Sequence, residues 1–294
     1  MLAVIFGALA GLSYGAADFS GAVASKKTSA TVVTVAMQVV SLLALFGVLA
    51  IFPEDQRLVS DLVWAGLGGI GIAVGLTTFY QALAIGPMST AAALTALIGS
   101  LVPLLASLAL GERPGPITMG GILLSIPAVM LVSAGAADGG ASGRMAAPRE
   151  RVRLANEAGK TRALSVMAGL GFGAFFVALS RTSEDGGLFP LLGARGASIA
   201  VLCLMLTVTQ TWEPVDKTAW KPVIVAGVLD CAANALYLTA LQQGQLSWVA
   251  ALTSLYPVST VLLAWLLLKE RITKVQLLGL AMAAGALSLV AYGQ

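Results

Sequence analysis

The 294 residues are 58% hydrophobic and 11% charged, carry a formal charge of +3 and contain no histidine; the mean hydropathy is +0.91. That balance excludes ordinary soluble domains, and basic residues confined to short loops between apolar runs exclude a nucleic-acid-binding domain. Without histidine, a His metal ligand, a His proton relay and a Ser-His-Asp triad are also excluded.

Apolar runs of about 20 residues, the length of a membrane-spanning helix, follow one another along the chain. Turn residues and charges divide them into ten predicted spans, at 2–24, 30–52, 62–85, 88–110, 116–135, 163–182, 188–210, 219–243, 247–268 and 273–292. The first ends in AVAS, from Ala22 to Ser25, which looks like a secretory cleavage site. It lacks a basic n-region and contains Asp18, so it reads as a permanent helix. The polar interval 136–162 reads as a flexible basic linker between one five-helix half, 1–135, and another, 163–294. Cys203 and Cys231 fall inside apolar runs, where neither a disulfide framework nor a zinc pattern is available, and no cofactor or metal is expected.

The halves are copies. AGLSYGA (Ala10 to Ala16) returns as AGLGFGA (Ala168 to Ala174), about 158 positions later. At the same offset LTALIGSLVPLLASLALGER (Leu94 to Arg113) aligns without a gap on LTSLYPVSTVLLAWLLLKER (Leu252 to Arg271). Five helices per copy is an odd number, so the second copy enters the membrane from the opposite side. The expected fold is all-α and integral to the membrane, with ten transmembrane helices as two inverted five-helix repeats. Gly7, Gly11 and Gly15, with Gly169 and Gly173 in the second copy, leave one helix face nearly bare, as close helix packing in lipid requires.

The loops after the odd-numbered spans hold about 13 Lys and Arg, against about three on the other side. Six of the 13 are Arg144, Arg149, Arg151, Arg153, Lys160 and Arg162 of the linker. The positive-inside rule then places the linker in the cytoplasm and both termini outside.

Three charges, Asp18, Arg195 and Asp230, fall well inside predicted spans, where each costs several kcal/mol unless paired or hydrated. At 1.5 Å per residue, Arg195 lies about 12 Å from one surface and Asp230 about 16 Å from the other, so in a core of about 30 Å their depths nearly coincide. Either they pair to fix the seventh span against the eighth, or Arg195 meets a substrate carboxylate while Asp230 exchanges a coupling proton. Asp230, Asn234 and Tyr237 share a helix face, as do Tyr14 and Asp18. The second copy replaces Tyr14 and Asp18 by Phe172 and Phe176, so the shared fold does not demand them. Asp18 is a second candidate for ion coupling, although its nearness to the helix end also allows hydration or pairing with Lys26 or Lys27. Pro103 and Pro257 are expected to break helices four and nine, and around them Thr95, Thr253 and Tyr256, with Ser100 and Ser254, offer hydrogen bonds to a substrate. Glu112-Arg113 and Glu270-Arg271 are expected to cap the following helix and to pair with each other.

LALGERPG, LLLKERIT and the twin five-helix halves resemble the EamA-type permeases of the drug/metabolite transporter superfamily over nearly the whole chain. Lys269 stands where the first copy has Gly111. The resemblance implies an inner-membrane carrier with a cavity between its halves, often an exporter of amino acids or other small metabolites. It also implies cytoplasmic termini, opposite to the orientation that the charge count gives, and the charge count is retained as the expectation. The function expected is that of a secondary transporter, not an enzyme. Its partners would be a small-molecule substrate, protons as coupling ion and membrane lipid, with no nucleic acid. The alternatives are a non-transporting sensor or scaffold, or an intramembrane enzyme, for which three isolated charges supply little.

Overall fold

The computed structural model describes residues 2–52, 58–86, 88–134, 148–268 and 272–293. Among them the chain is helical, with no strand: α1 (Leu2–Ser25), α2 (Ala30–Ile51), α3 (Val59–Ile85), α4 (Met88–Ala109), α5 (Pro116–Ala134), α6 (Pro148–Leu179), α7 (Pro190–Thr209), α8 (Trp220–Leu241), α9 (Leu246–Thr253), α10 (Tyr256–Leu268) and α11 (Lys274–Tyr292). Among the described residues eight stretches are long and apolar enough to cross a membrane, one of them running through α9 into α10, and Leu94–Ala109 and Pro116–Val132 are shorter apolar helices. Large apolar side chains such as Leu43, Phe46, Leu204 and Leu266 lie exposed along the outer faces, as expected of a bundle bathed in lipid. The protein is an integral membrane protein.

Helix contacts respect the sequence repeat. α1 packs on α8, α9 and α10, while its counterpart α6 packs on α3 and α4. α2 packs on α8 as α7 packs on α3, and the pairs α2–α7 and α5–α11 map onto themselves. Each copy's first helix therefore leans on the other copy's third and fourth.

Glycine explains these approaches. A Cβ at Gly11 would stand 3.1 Å from the carbonyls of Leu252 and Thr253, and one at Gly169 would stand 2.8 Å from that of Thr95, the repeat equivalent of Thr253. Gly15 abuts Ser259 and the Tyr256 carbonyl, Gly173 abuts Val102, and Gly7 faces the Leu252 side chain at 3.5 Å. Gly121 and Gly279, also related by the offset, seat α5 and α11 against each other: their Cβ atoms would lie 2.9 Å from Ala286 O and 3.0 Å from Ala128 O. Backbone against backbone is what small residues permit where lipid supplies no hydrophobic drive.

Three expectations need correction, and a fourth stands with its position shifted. Residues 148–162, read as flexible linker, begin α6, where Pro148 sits in the first turn and Arg, Glu and Ala supply helix propensity; Gly135 to Ala147 lie outside the described residues. Pro103 does not break its helix, since α4 runs through it. The break near Pro257 is real and falls at Ser254–Leu255, with Pro257 in the first turn of α10. There the Thr253 and Ser254 hydroxyls bond back to Val249 O and Ala251 O, which tightens the end of α9. Finally, the Glu112 carboxylate caps α9 of the other copy, accepting from Leu246 N at 2.9 Å and Ser247 N at 3.0 Å, while Arg113 returns to the end of α4 through Leu108 O. Glu270 and Arg271 lie outside the described residues.

Candidate functional site

Arg195 and Asp230 meet. Arg195 Nη2 lies 2.7 Å from Asp230 Oδ2, with the two side chains 2% and 3% exposed, and Nη1 donates to Gln38 Oε1 at 2.5 Å. The Ser41 hydroxyl donates to Asp230 Oδ2 at 3.0 Å. Asn234 Nδ2 donates to Asp230 Oδ1 at 3.1 Å and to the Asp230 carbonyl at 2.7 Å, and Asn234 Oδ1 accepts from the Tyr14 hydroxyl at 2.9 Å. One buried network therefore joins α1, α2, α7 and α8. Both charges are compensated inside it, the condition for keeping an ion pair at membrane depth.

Beside the network lies a cavity of about 30 Å³, lined by Tyr14, Asp18, Ile72, Leu76, Thr95, Ala96, Gly99, Phe172, Phe176, Asp230, Ser254 and Tyr256. A space of that size holds one or two waters. Its lining contains both members of four repeat-related pairs: Tyr14 and Phe172, Asp18 and Phe176, Ile72 and Asp230, and Ala96 and Ser254. The cavity thus lies where the two copies meet. Tyr14 and Phe176 make an edge contact at 6.0 Å, and Phe176 packs on Tyr237 at 4.4 Å between ring centroids.

Of the residues picked out in sequence, Tyr14, Asp18, Thr95, Asp230, Ser254 and Tyr256 line the cavity, whereas Ser100, Arg195, Asn234, Tyr237 and Thr253 do not. Arg195 faces Asp230 and Gln38 instead of the open space. Asp18 does not pair with Lys26 or Lys27: it is 8% exposed and faces the cavity, while Lys27 reaches the Thr218 carbonyl at 3.4 Å. α1 packs on α8 and α10 along this stretch, which buries a residue that distance from the helix end would leave wet. Gln38 and Ser41 were missed, although two polar residues three apart in an otherwise apolar span are a readable sign of an inward face. Cys203 and Cys231 are free thiols. Among the described residues no cluster of acidic or thiol side chains could hold a metal.

A model of the EamA-like transporter family matches residues 1–134 and 161–292. No curated protein matches the chain. A solved structure described only as "Crystal structure of protein" is similar over 97% of both chains, with 18% identity and a TM-score of 0.69, a likeness of fold.

Proposed function

The chain belongs to the EamA-like transporter family, and we propose that it is a secondary transporter working by alternating access, which exports a small polar or amphipathic metabolite, amino acids among them, across a bacterial-type cytoplasmic membrane. The observation that carries this reading is the central cavity lined by repeat-related residues of both copies. In transporters built from inverted repeats, the solute sits at the repeat interface while the halves rock around it. The ten helical rods then form two inverted five-helix repeats, with the basic segment between them cytoplasmic and both termini outside, as the positive-inside rule gives.

Hydrogen bonds tie the copies together at both ends. At one, Ser29 N donates to Glu213 Oε1 at 2.6 Å, Asp216 N to Thr28 Oγ1 at 3.0 Å, and Lys27 Nζ to Thr218 O. At the other, Ser183 N and its hydroxyl donate to Asp61, and Glu112 holds the start of α9. Alternating access releases one set while keeping the other, with the bare glycine faces of α1 and α6 as the sliding surfaces. No nucleotide-binding GxxxxGKS occurs in the sequence, so the driving energy is a gradient. Asp18 is the better candidate than Asp230 for a coupling proton, because Arg195, Ser41 and Asn234 already occupy the oxygens of Asp230.

Flux of labelled amino acids, amines and organic acids into proteoliposomes tests the reading. Saturable flux that shows counterflow, and that falls at least tenfold in Asp18→Asn, is expected. Solute binding without flux for every member of the panel would make the protein a sensor and refute the proposal.

A further inference from the structure

Among the described residues that line it, the cavity around Asp18 offers acceptors and aromatic faces but no spare donor; the unpartnered Gln38 Nε2 and Tyr237 hydroxyl belong to residues outside the lining. The Tyr14 hydroxyl is used on Asn234, the Tyr256 hydroxyl donates to Ala92 O at 3.3 Å, Thr95 Oγ1 to Ser165 O at 3.2 Å, and Ser254 Oγ to Ala251 O at 2.7 Å. Arg195 is held by Asp230 and Gln38. Asp18 itself, 8% exposed and turned into the cavity, has no hydrogen bond or ion pair among the described residues. An acidic group is thus left without a partner where a solute would sit, with the rings of Tyr14, Phe172, Phe176 and Tyr256 around it.

We propose that this cavity recognises a protonated amine carried on an apolar or aromatic body, with the ammonium on Asp18 and the body among those rings. This rests on the transport reading above and narrows its substrate class. An ammonium brings three donors and no acceptor, which matches a site that has an acceptor and no donor. Tyrosine and phenylalanine faces attract cations once water is excluded. A carboxylate on the solute finds no spare donor in the lining and meets the charge of Asp18, since that of Asp230 is compensated by Arg195, so a zwitterionic amino acid is disfavoured against the corresponding amine. Inorganic cations fit poorly, since calcium takes six to eight oxygens and magnesium a near-ideal octahedron, against one free carboxylate. The solute enters when the copies part, because a cavity of that size admits only water.

Three probes of one shape test the proposal: phenethylamine, phenylalanine and 3-phenylpropionate, with sodium and potassium chloride as further arms. Binding is read from the unfolding midpoint of the purified protein in detergent, and flux from proteoliposomes. Phenethylamine is expected to raise the midpoint saturably, with a Kd at least tenfold below that of phenylalanine, while 3-phenylpropionate and both salts do nothing. Asp18→Asn should weaken amine binding at least tenfold and Asp18→Glu should restore most of it, both variants unfolding cooperatively without ligand. Equal or tighter binding of phenylalanine or phenylpropionate, a shift produced by either salt alone, or amine binding unchanged in Asp18→Asn would overturn the proposal. Amine binding without flux of any probe refutes transport and leaves the amine site standing; flux of phenylalanine without amine binding does the reverse.

Discussion

Arg195→Met should expose how the buried network is held. It removes the cation that faces Asp230 at 2.7 Å, at a site where both side chains are at most 3% exposed. Ser41 and Asn234 still donate to the stranded carboxylate, and Gln38 Oε1 loses its only donor among the described residues. Breaking a buried pair from one side costs about 3–5 kcal/mol, whereas removing both charges is close to neutral. The second substitution, Asp230→Asn, leaves a neutral group that still accepts from Ser41, so the double variant should lie within about 1–2 kcal/mol of the wild type. With about 2–4 °C per kcal/mol, the single variant's unfolding midpoint in detergent drops by roughly 10 °C, and the double variant recovers most of it. Arg195 does not face the cavity, and Asp230, which lines it, keeps a carbonyl acceptor as asparagine, so solute flux persists in the double variant. Equal losses in single and double variants would refute the compensated pair, and lost flux in a well-folded double variant would show that the pair handles the solute as well as holding the helices.

Other substitutions probe the packing and the cavity. Gly15→Val drives its Cβ into Ser259 and the Tyr256 carbonyl, so yield and midpoint should both collapse; Gly11→Ala, with 3.1 Å to two carbonyls, should cost only about 1 kcal/mol in the same assay. Glu112→Ala removes the cap from Leu246 N and Ser247 N and should cost about 1–2 kcal/mol, read as a midpoint lowered by several degrees. Asp18→Asn should stabilise the protein by about 1–2 kcal/mol, read as a midpoint raised by several degrees, while flux is lost, since a buried carboxylate without a partner is held for function at the expense of stability; a lowered midpoint would mean that Asp18 has a structural partner.

Much of the architecture could be read from the sequence, because a bilayer imposes one length and one polarity on every span. The start of α2 at Ala30 and the end of α3 at Ile85 stand as predicted. Depth counting along the helices brought Arg195 and Asp230 together across different spans, since rise per residue is nearly constant in helices that cross one slab. What it could not give was neighbourhood. Asp18, seven residues from the end of α1, looked hydrated, and only the packing of α8 and α10 shows it buried. Glu112 was matched to the next helix in sequence, whereas the fold brings α9 of the other copy to it. The extension of α6 back to Pro148 was hidden because its polar composition reads equally as linker or as solvated helix. Arg195 reads as a ready carboxylate clamp until Gln38 and Asp230 are seen to occupy it.

Two distances measured in one protein test alternating access most directly. Nitroxide labels at Lys26 and Lys217 report the end tied by Ser29 and Glu213, and labels at Leu110 and Glu184 report the end tied by Asp61 and Glu112, with Cys203 and Cys231 replaced by alanine. In liposomes, addition of a transported solute should shift the two distance distributions in opposite directions, one end opening as the other closes. Both ends widening together, or neither moving while saturable flux proceeds, would contradict the account.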